Sequence, residues 1–246
     1  MTKRFATALL ALALGTVPAL APAAGGGNLE HAQVNIGDTA SLQRGAALFV
    51  NYCMGCHGLE YQRFSRLAED LGLSEDQVMQ NLVFTGAKIG GTMDTAMLPA
   101  DGEAWFGKAP PDLSLVARVR GADWIYSYLK GFYLDESRPL GWNNTVFPDV
   151  GMPHVLWELQ GVQRPVHGQA TAGGQPPVER LEIAEAGRLT PGQYDRVARD
   201  ITNFLQYVGE PAALQREAYG VWVILFLGFL TFLTWLLKKE YWRDVH

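Results

Sequence analysis

The stretch Tyr219 to Leu237 carries no charged residue and is long enough for one helix across the hydrocarbon core of a membrane. A helix buried in a small domain would keep a polar face, whereas this stretch is apolar all round. The basic residues Lys238 and Lys239 follow it directly. Because basic residues flank membrane spans on the cytoplasmic side, the sequence predicts a transmembrane helix at 217–237 and a cytoplasmic tail at 238–246.

The N-terminal segment has the pattern of a secretory signal peptide. Two basic residues precede the apolar run Phe5 to Val17, and Ala21-Pro22-Ala23 supplies small residues for cleavage. The apolar run is too short to span a membrane, so we expect cleavage near Ala23 rather than a second anchor. Residues 1–23 are therefore predicted to be removed, and residues 24–216 to form a domain on the outer side of the membrane.

Both cysteines of the chain lie in the stretch NYCMGCHGLEY, two residues apart and directly before a histidine. Cys-x-x-Cys-His is the attachment signature of c-type haem, in which two thiols add to the haem vinyl groups and the histidine binds the iron. Cys53 and Cys56 are thus the predicted thioether residues and His57 the predicted proximal ligand of one haem c.

Other uses of two exported cysteines fit the pattern less well. A disulfide leaves the adjacent histidine unexplained, and a zinc site would need a fourth ligand that no second Cys-x-x-Cys supplies. A redox dithiol would stand at the start of a helix after a strand. Here the apolar residues between Asp38 and Tyr52 recur at helical spacing, which places the cysteines near the end of a helix instead.

A sixth iron ligand must come from elsewhere, and methionine is the commonest choice in electron carriers because its thioether raises the reduction potential. Met54 lies inside the binding loop, where the covalent attachment directs it away from the open face. Met79 falls in a helical pattern, which predicts packing in the core. Met93 and Met97 stand in a Gly-rich loop and stay open as candidates.

Met152 is the methionine that we prefer as the sixth ligand. It lies in FPDVGMPHVLW, where neighbouring proline and glycine residues predict an extended loop that can hold a side chain towards a ligand. The alternative is a loop methionine that fills a hydrophobic gap. His154, two residues further on, could substitute as a ligand if the loop relaxed.

The remaining sequence within residues 24–216 predicts a mainly α domain with loop insertions. The stretch LTPGQYDRVARDITNFLQYVGEP has the capping residues Thr190 and Gln193 at one end, and Gly209 and Pro211 stop it at the other. In small haem domains the first and last helices cross, and Gly45, Phe49, Phe204 and Tyr207 would suit such a crossing. Packing in the core alone is an equally compatible interpretation of the aromatic residues. The stretch 160–180, rich in Gly, Pro and Gln, predicts a loop or short hairpin outside the core.

The segment KAPPDLSLVARVRGADWIYSYLKGFY contains candidates for the haem propionates. Two consecutive prolines predict an extended stretch, and helical character follows from Ala122 to Phe132. Arg118 and Arg120 lie between, and an arginine suits a carboxylate because its planar fork can donate two hydrogen bonds. Solvated surface arginines are the alternative interpretation.

Taken together, these motifs resemble the cytochrome c1 family, the haem subunits of respiratory complex III. The resemblance rests on Cys53-x-x-Cys56-His57, on PPDLS followed by ARVRG, on GMP at 151–153, and on TNFLQYVGEP running into a C-terminal membrane helix. It covers nearly the whole mature chain. The chain departs from the family before PPDLS, where EAWFGKA replaces an Asn-Gly-rich run, and the short loop after GMP suggests a compact bacterial version.

The resemblance implies a c-type cytochrome domain with one C-terminal transmembrane helix and one covalently attached haem c. It implies that Met152 is the axial methionine, that Arg120 lies near a propionate, and that Pro111 and Trp124 line the haem. The implied location is the bacterial inner membrane, with the haem domain in the periplasm and the C-terminus in the cytoplasm.

The resemblance also implies a function in electron transfer. The chain would take an electron from the Rieske iron–sulfur subunit and pass it to a soluble c-type cytochrome, in a complex with cytochrome b and in contact with membrane lipid. A formal net charge of −5 disfavours a nucleic-acid partner. Two alternatives remain: a membrane-anchored haem sensor, and a cytochrome subunit of another oxidase or dehydrogenase.

Overall fold

The computed structural model of the chain describes residues 29–168 and 177–244, so the predicted signal peptide at 1–23 lies outside the described residues. The described helices are α1 (Thr39–Tyr52), α2 (Phe64–Leu71), α3 (Glu75–Asn81), α4 (Pro99–Phe106), α5 (Val116–Arg120), α6 (Ala122–Lys130), α7 (Trp157–Gln160), α8 (Pro191–Gly209) and α9 (Ala213–Tyr241). The described strands are β1 (Leu59–Arg63), β2 (Thr92–Met93), β3 (Phe132–Leu134), β4 (Trp142–Asn144), β5 (Gly161–His167) and β6 (Val178–Ala186). Consecutive strands pair as three antiparallel two-stranded sheets, and the prediction of a mainly α fold is confirmed.

The core forms where α1 crosses α8. Gly45 on α1 lies so close to α8 that an added Cβ would be 2.1 Å from the carbonyl oxygen of Asp200. The rings of Phe49 and Phe204 meet beside this point with centroids 5.8 Å apart, and Tyr207 follows at 6.2 Å from Phe204. The predicted crossing of the first and last helices of the domain is therefore confirmed, with the residues that the sequence suggested.

A buried carboxylate ties the same two helices together. Asp200 accepts hydrogen bonds from Ser41 Oγ at 2.6 Å and from Arg44 Nε at 2.7 Å and Nη2 at 2.9 Å. The side chain of Asp200 is largely buried, so the paired arginine compensates for a charge taken out of water.

Helix α8 has the predicted ends. Thr190 donates its backbone N–H to Oε1 of Gln193 at 2.9 Å, which satisfies a donor that the first helical turn leaves free. Pro191 occupies the first helical position, where its missing N–H has no cost, and the helix ends at Gly209.

The stretch predicted as a loop or short hairpin is a hairpin of β5 and β6, which pair from Gly161 with Ala186 to His167 with Val178. It lies outside the helical core, since most of β6 is exposed. Residues 169–176 between the strands lie outside the described residues.

Helix α9 is the predicted anchor. The part Tyr219–Tyr241 has a mean hydropathy of 2.2, and none of its most apolar window is buried against the rest of the described chain. These 23 residues are long and apolar enough to cross a membrane. Just before α9, Glu210 accepts from Arg118 Nη1 of α5 at 2.7 Å and from Arg216 of α9, and these ion pairs link α5 to the start of α9.

Candidate functional site

The Cys-x-x-Cys-His segment forms a tight turn at the end of α1. The N–H of Cys53 donates to Phe49 O at 2.8 Å and closes the helix. The N–H groups of Cys56 and His57 both donate to Cys53 O, at 3.0 and 2.8 Å. The predicted position of the cysteines at a helix end is confirmed, and the turn presents both thiols and the imidazole from one short segment.

Both cysteine thiols are free. Cys53 is buried, and burial raises the pKa of its thiol to about 12, while burial also raises the pKa of Cys56. A redox dithiol needs a thiolate, which is favoured by a lowered pKa. This environment keeps both thiols protonated and so disfavours the redox-dithiol interpretation.

The imidazole of His57 is fixed by one hydrogen bond. Its Nδ1 lies 2.7 Å from the carbonyl oxygen of Pro111. A carbonyl oxygen only accepts, so Nδ1 carries the proton and Nε2 keeps its lone pair. Burial lowers the pKa of His57, although the bond to Pro111 opposes this, and the ring is accordingly neutral. A neutral imidazole held through Nδ1, with Nε2 free, is the state in which histidine binds a metal.

The PPDLS segment lies alongside the residues after His57. Leu113 N–H donates to Gly58 O at 2.9 Å, and Glu60 N–H donates to Asp112 Oδ2 at 2.8 Å. The other carboxylate oxygen of Asp112 accepts from Ser114 N–H at 2.8 Å. Asp112 therefore holds Pro111 in position to accept from His57. The sequence did not single out Asp112, although an aspartate directly after two prolines is a common turn-forming residue.

Met152 lies in a loop between β4 and α7, as predicted, and its sulfur has a defined partner. The hydroxyl of Tyr128 donates to Met152 Sδ at 3.3 Å. The Tyr128 ring stacks on Trp124 at 4.9 Å between centroids and meets Phe132 edge-on at 5.0 Å. Tyr128 was not among the site residues predicted from the sequence, although it lies one helical turn after Trp124, on the same face of α6.

Arg120 lies at the end of α5 next to the same aromatic group. Its guanidinium is 5.1 Å from the centroid of Trp124 and 5.9 Å from that of Phe147. Within residues 29–168 and 177–244, no carboxylate forms a salt bridge with it, whereas Arg118 is paired with Glu210. Of the two arginines that the sequence offered, Arg120 is thus the one without a carboxylate partner among the described residues.

These contacts join the predicted site residues into two groups. One consists of Cys53, Cys56, His57 and Pro111, joined by the turn and by the His57 hydrogen bond. The other consists of Arg120, Trp124 and Met152, which are joined through Trp124 and Tyr128.

The other methionines have different environments. Met93 is fully buried in β2, where it pairs with Leu59, and is not in a loop as expected. Met54 is buried in the core, and Met97 is partly buried with its sulfur near Gly102. The prediction that Met79 packs in the core is wrong: it is 37% exposed, because α3 turns its neighbour Val78 inward instead.

Two asparagines hold the loop that leads to Met152. Asn144 Oδ1 accepts from the N–H groups of Val146 and Phe147, at 2.8 and 3.2 Å, and Asn143 Oδ1 accepts from Asp149 N–H at 2.9 Å. Asn144 also donates to Tyr128 O at 2.8 Å. Its side chain therefore connects the methionine loop with the tyrosine that contacts the methionine. No periodic pattern in the sequence predicts this role.

His154, the alternative ligand, is buried among aromatic rings. Its ring stacks on Phe132 at 4.8 Å and 4°, and meets Trp142 edge-on at 5.2 Å. Burial lowers the pKa of His154 to about 4, so the ring is neutral. One stacked and one edge-on aromatic contact give His154 a packing role in the described structure.

Comparisons with known proteins identify the family. The sequence model of the Cytochrome C1 family matches residues 31–245. The chain belongs to the cytochrome c1 family. Cytochrome c1 of Allochromatium vinosum is 54% identical, covering 96% of this chain and 99% of its own length. A Nitrosomonas europaea protein named ammonia monooxygenase gamma subunit is 47% identical over 89% of each chain, and cytochrome c1 of Rhodospirillum rubrum is 32% identical over 85% of this chain and 83% of its own.

Membership confirms the resemblance that the motifs indicated, and with it the cofactor. Proteins of this family carry one covalently bound haem c, so the chain is a membrane-anchored c-type cytochrome of the bc1 complex that functions in electron transport.

Proposed function

We propose that Cys53 and Cys56 bind the haem through thioether bonds and that His57 Nε2 is the proximal iron ligand. The observation that carries this assignment is the 2.7 Å hydrogen bond from His57 Nδ1 to Pro111 O. It fixes the tautomer, restrains the ring and leaves Nε2 as the free nitrogen. The two free thiols on the same turn supply the covalent bonds.

We assign Met152 Sδ as the sixth ligand. Tyr128 restrains the sulfur with its hydroxyl, and Asn143 and Asn144 restrain the loop that carries it. Met93 is a poorer candidate because it is fully buried in a strand of the core. Met97, partly buried in its own loop, stays the remaining rival.

Three further residues complete the proposed site. Arg120 has no carboxylate partner in the described chain and would bind a haem propionate through its planar fork. Pro111 would line the haem on the side of His57, because its carbonyl oxygen accepts from the His57 ring. Trp124 would line it on the side of Met152, because Trp124 stacks on Tyr128, whose hydroxyl contacts the Met152 sulfur.

The surrounding residues of this chain would support electron transfer by restraining the two proposed iron ligands, His57 and Met152. The haem supplies a one-electron couple when bound. His57 and Met152 are each held by a neutral hydrogen bond, so neither ligand needs to move or change protonation when an electron arrives. Buried surroundings exclude water from His57, which keeps competing ligands away.

We further propose the route and topology that the motifs predict. The haem domain at 24–216 would lie in the periplasm of a bacterium, anchored in the inner membrane by residues 217–237, with the tail 238–246 in the cytoplasm and 1–23 removed. It would accept electrons from the Rieske iron–sulfur subunit beside cytochrome b and pass them to a soluble c-type cytochrome. The basic residues that follow the apolar span support this orientation.

The relative named ammonia monooxygenase gamma subunit favours one second candidate, a cytochrome subunit of a different oxidase. The subunits that co-purify after mild detergent extraction separate the two. Cytochrome b and a Rieske subunit in stoichiometric amounts would support the bc1 assignment. Recovery of the chain with monooxygenase subunits and without cytochrome b would contradict it.

Substitution of the methionines tests the sixth ligand. Leucine keeps the side-chain volume nearly constant and removes the thioether, so Met152→Leu should abolish the weak sulfur-to-iron charge-transfer band and lower the potential while haem stays attached. Met93→Leu and Met97→Leu are the matched controls and should keep the band. A band that survives Met152→Leu and disappears with either control would show that the axial assignment is wrong.

A further inference from the structure

Asp149, three residues before Met152, has a left-handed backbone conformation with a φ of 61°. It lies in a turn, and in the described part of the chain Gln33 is the one other non-glycine residue with a positive φ. The Cβ atom disfavours this conformation, although aspartate tolerates it better than most residues do. Such a conformation persists only where neighbouring groups hold it in place.

The guanidinium of Arg138 supplies two of the bonds that hold Asp149. Arg138 Nη1 donates to Asp149 Oδ1 at 2.8 Å, and Nη2 donates to the backbone carbonyl oxygen of Asp149 at 3.0 Å. The N–H of Asp149 donates to Asn143 Oδ1, so both backbone polar groups of the left-handed residue have partners. Nε of Arg138 is buried and has no partner among the described residues, so the bonds to Asp149 are those that fix the guanidinium.

The position of Arg138 is itself fixed by the turn between β3 and β4. Its N–H donates to Asp135 O at 3.0 Å, and its carbonyl oxygen accepts from Gly141 N–H at 3.0 Å. The carboxylate of Asp135 accepts from Asn143 Nδ2 at 2.8 Å, which ties this turn to β4. The arginine therefore connects an ordered hairpin turn to the loop that carries the methionine.

We propose that Arg138 is a positioning residue for Met152: its guanidinium locks the left-handed turn at Asp149 and so keeps the methionine sulfur in place for the iron. This inference rests on the proposed role of Met152 as sixth ligand. A ligand on a restrained loop loses less conformational freedom when it binds than a ligand on a free loop. Arg138 acts through the backbone of Asp149, since its bonds go to that residue and not to the sulfur.

The competition between added imidazole and the methionine sulfur measures how firmly the loop holds the sulfur on oxidised iron. Arg138→Gln removes the planar fork and the charge, so both bonds to Asp149 are lost. The net contribution of one hydrogen bond corresponds to about a fivefold change in an equilibrium constant. The apparent affinity for imidazole should therefore rise about fivefold in Arg138→Gln. Without imidazole the sulfur-to-iron charge-transfer band should persist, because the sulfur still reaches the iron.

Asp149→Gly is a second variant that tests the same contact from its other side. Glycine adopts a φ of 61° without strain, so the turn can still form. The carboxylate that Arg138 holds is removed, and the backbone at this position becomes freer. Imidazole should again bind more tightly than in the wild type.

The experiment is an imidazole titration of the full-length haem-loaded chain in detergent, with Arg199→Gln as the matched control. Arg199 makes the same kind of contact elsewhere, with Asp195 Oδ2 at 2.8 Å and the carbonyl oxygen of Ala32 at 3.1 Å. Its side chain is 35% exposed, against 28% for Arg138. Arg199→Gln should bind imidazole as the wild type does. Unchanged affinity in Arg138→Gln or Asp149→Gly, or an equal rise in the control, would overturn the inference.

A double variant separates positioning of the sulfur from a general opening of the haem pocket. In Met152→Leu no sulfur competes with imidazole, so adding Arg138→Gln should change the affinity no further if the arginine acts through Met152. A rise of the same size in the Met152→Leu background would show that Arg138 acts in another way and would refute its positioning role.

Met152→Leu alone keeps this inference and the ligand assignment distinguishable. If its charge-transfer band is unchanged, Met152 is not the ligand and the site assignment itself fails. If the band is lost in Met152→Leu while Arg138→Gln binds imidazole as the wild type does, the ligand assignment stands and only the role of Arg138 is refuted.

Discussion

Replacement of Gly45 by alanine tests whether the close crossing of α1 and α8 holds the domain together. An ideal Cβ at this position would lie 2.1 Å from Asp200 O and 2.6 Å from Phe204 Cβ. Ordinary contacts between heavy atoms lie at about 3.5 Å, so this Cβ and the Asp200 carbonyl oxygen would have to move apart by about 1.4 Å. The closest atom belongs to the backbone of α8 and cannot rotate away.

Two opposing effects determine how much Gly45→Ala changes the free energy of unfolding. Overpacking of a core costs about 1–3 kcal/mol, and an immovable backbone neighbour places Gly45→Ala near the upper end. Alanine inside a helix is favoured over glycine by about 1 kcal/mol, which offsets part of this cost. The free energy of unfolding should therefore fall by about 2 kcal/mol. For a domain of this size, that corresponds to a melting temperature lower by roughly 4–8 °C.

Thermal unfolding followed by far-ultraviolet circular dichroism, on the haem-loaded full-length chain in detergent, measures this difference. Gly192→Ala is the matched control: it is the same substitution near the start of α8, and nothing lies within 4 Å of its added Cβ. The control should melt at the wild-type temperature or slightly above it. Equal melting temperatures for the two variants would refute the argument that the crossing leaves no room for a side chain.

Three further predictions concern the thiols, the anchor and acid stability. Cys53→Ala or Cys56→Ala should leave at most one thioether and sharply lower the haem-loaded protein seen by haem staining on denaturing gels; a normal amount of stable protein without covalent haem would favour a disulfide instead. A chain ending at Gln215 should be exported and found in the soluble fraction with haem attached, since the apolar span begins only at Tyr219, and its recovery in the membrane pellet would reveal a second membrane contact. Burial alone would raise the pKa of Asp195, but hydrogen bonds from Tyr126 and Lys130 outweigh burial and lower this pKa. The Asp195 carboxylate therefore stabilises the fold at neutral pH, and this stabilisation is lost as pH falls below about 4. Asp195→Asn should therefore melt lower at pH 7 with little difference near pH 3, and an unchanged melting difference at both pH values would contradict this.

The sequence by itself determined the features that depend on neighbouring residues. The haem attachment motif, the ends of α8 and the membrane anchor are each contained in one short stretch, because thioether spacing, helix capping and apolar length are local properties. Even the crossing at Gly45 was foreseeable, since a glycine on a helix permits close approach.

Only the tertiary structure decided which distant residues meet. Local periodicity could not tell that α3 would turn Val78 inward and leave Met79 exposed, since one residue of rotation separates the two outcomes. Nor could it show that, among the described residues, Glu210 pairs with Arg118 and not with Arg120, or that Tyr128 reaches a sulfur 24 positions along the chain. These contacts depend on how separate elements pack, and packing selects among side chains that the sequence alone leaves equivalent.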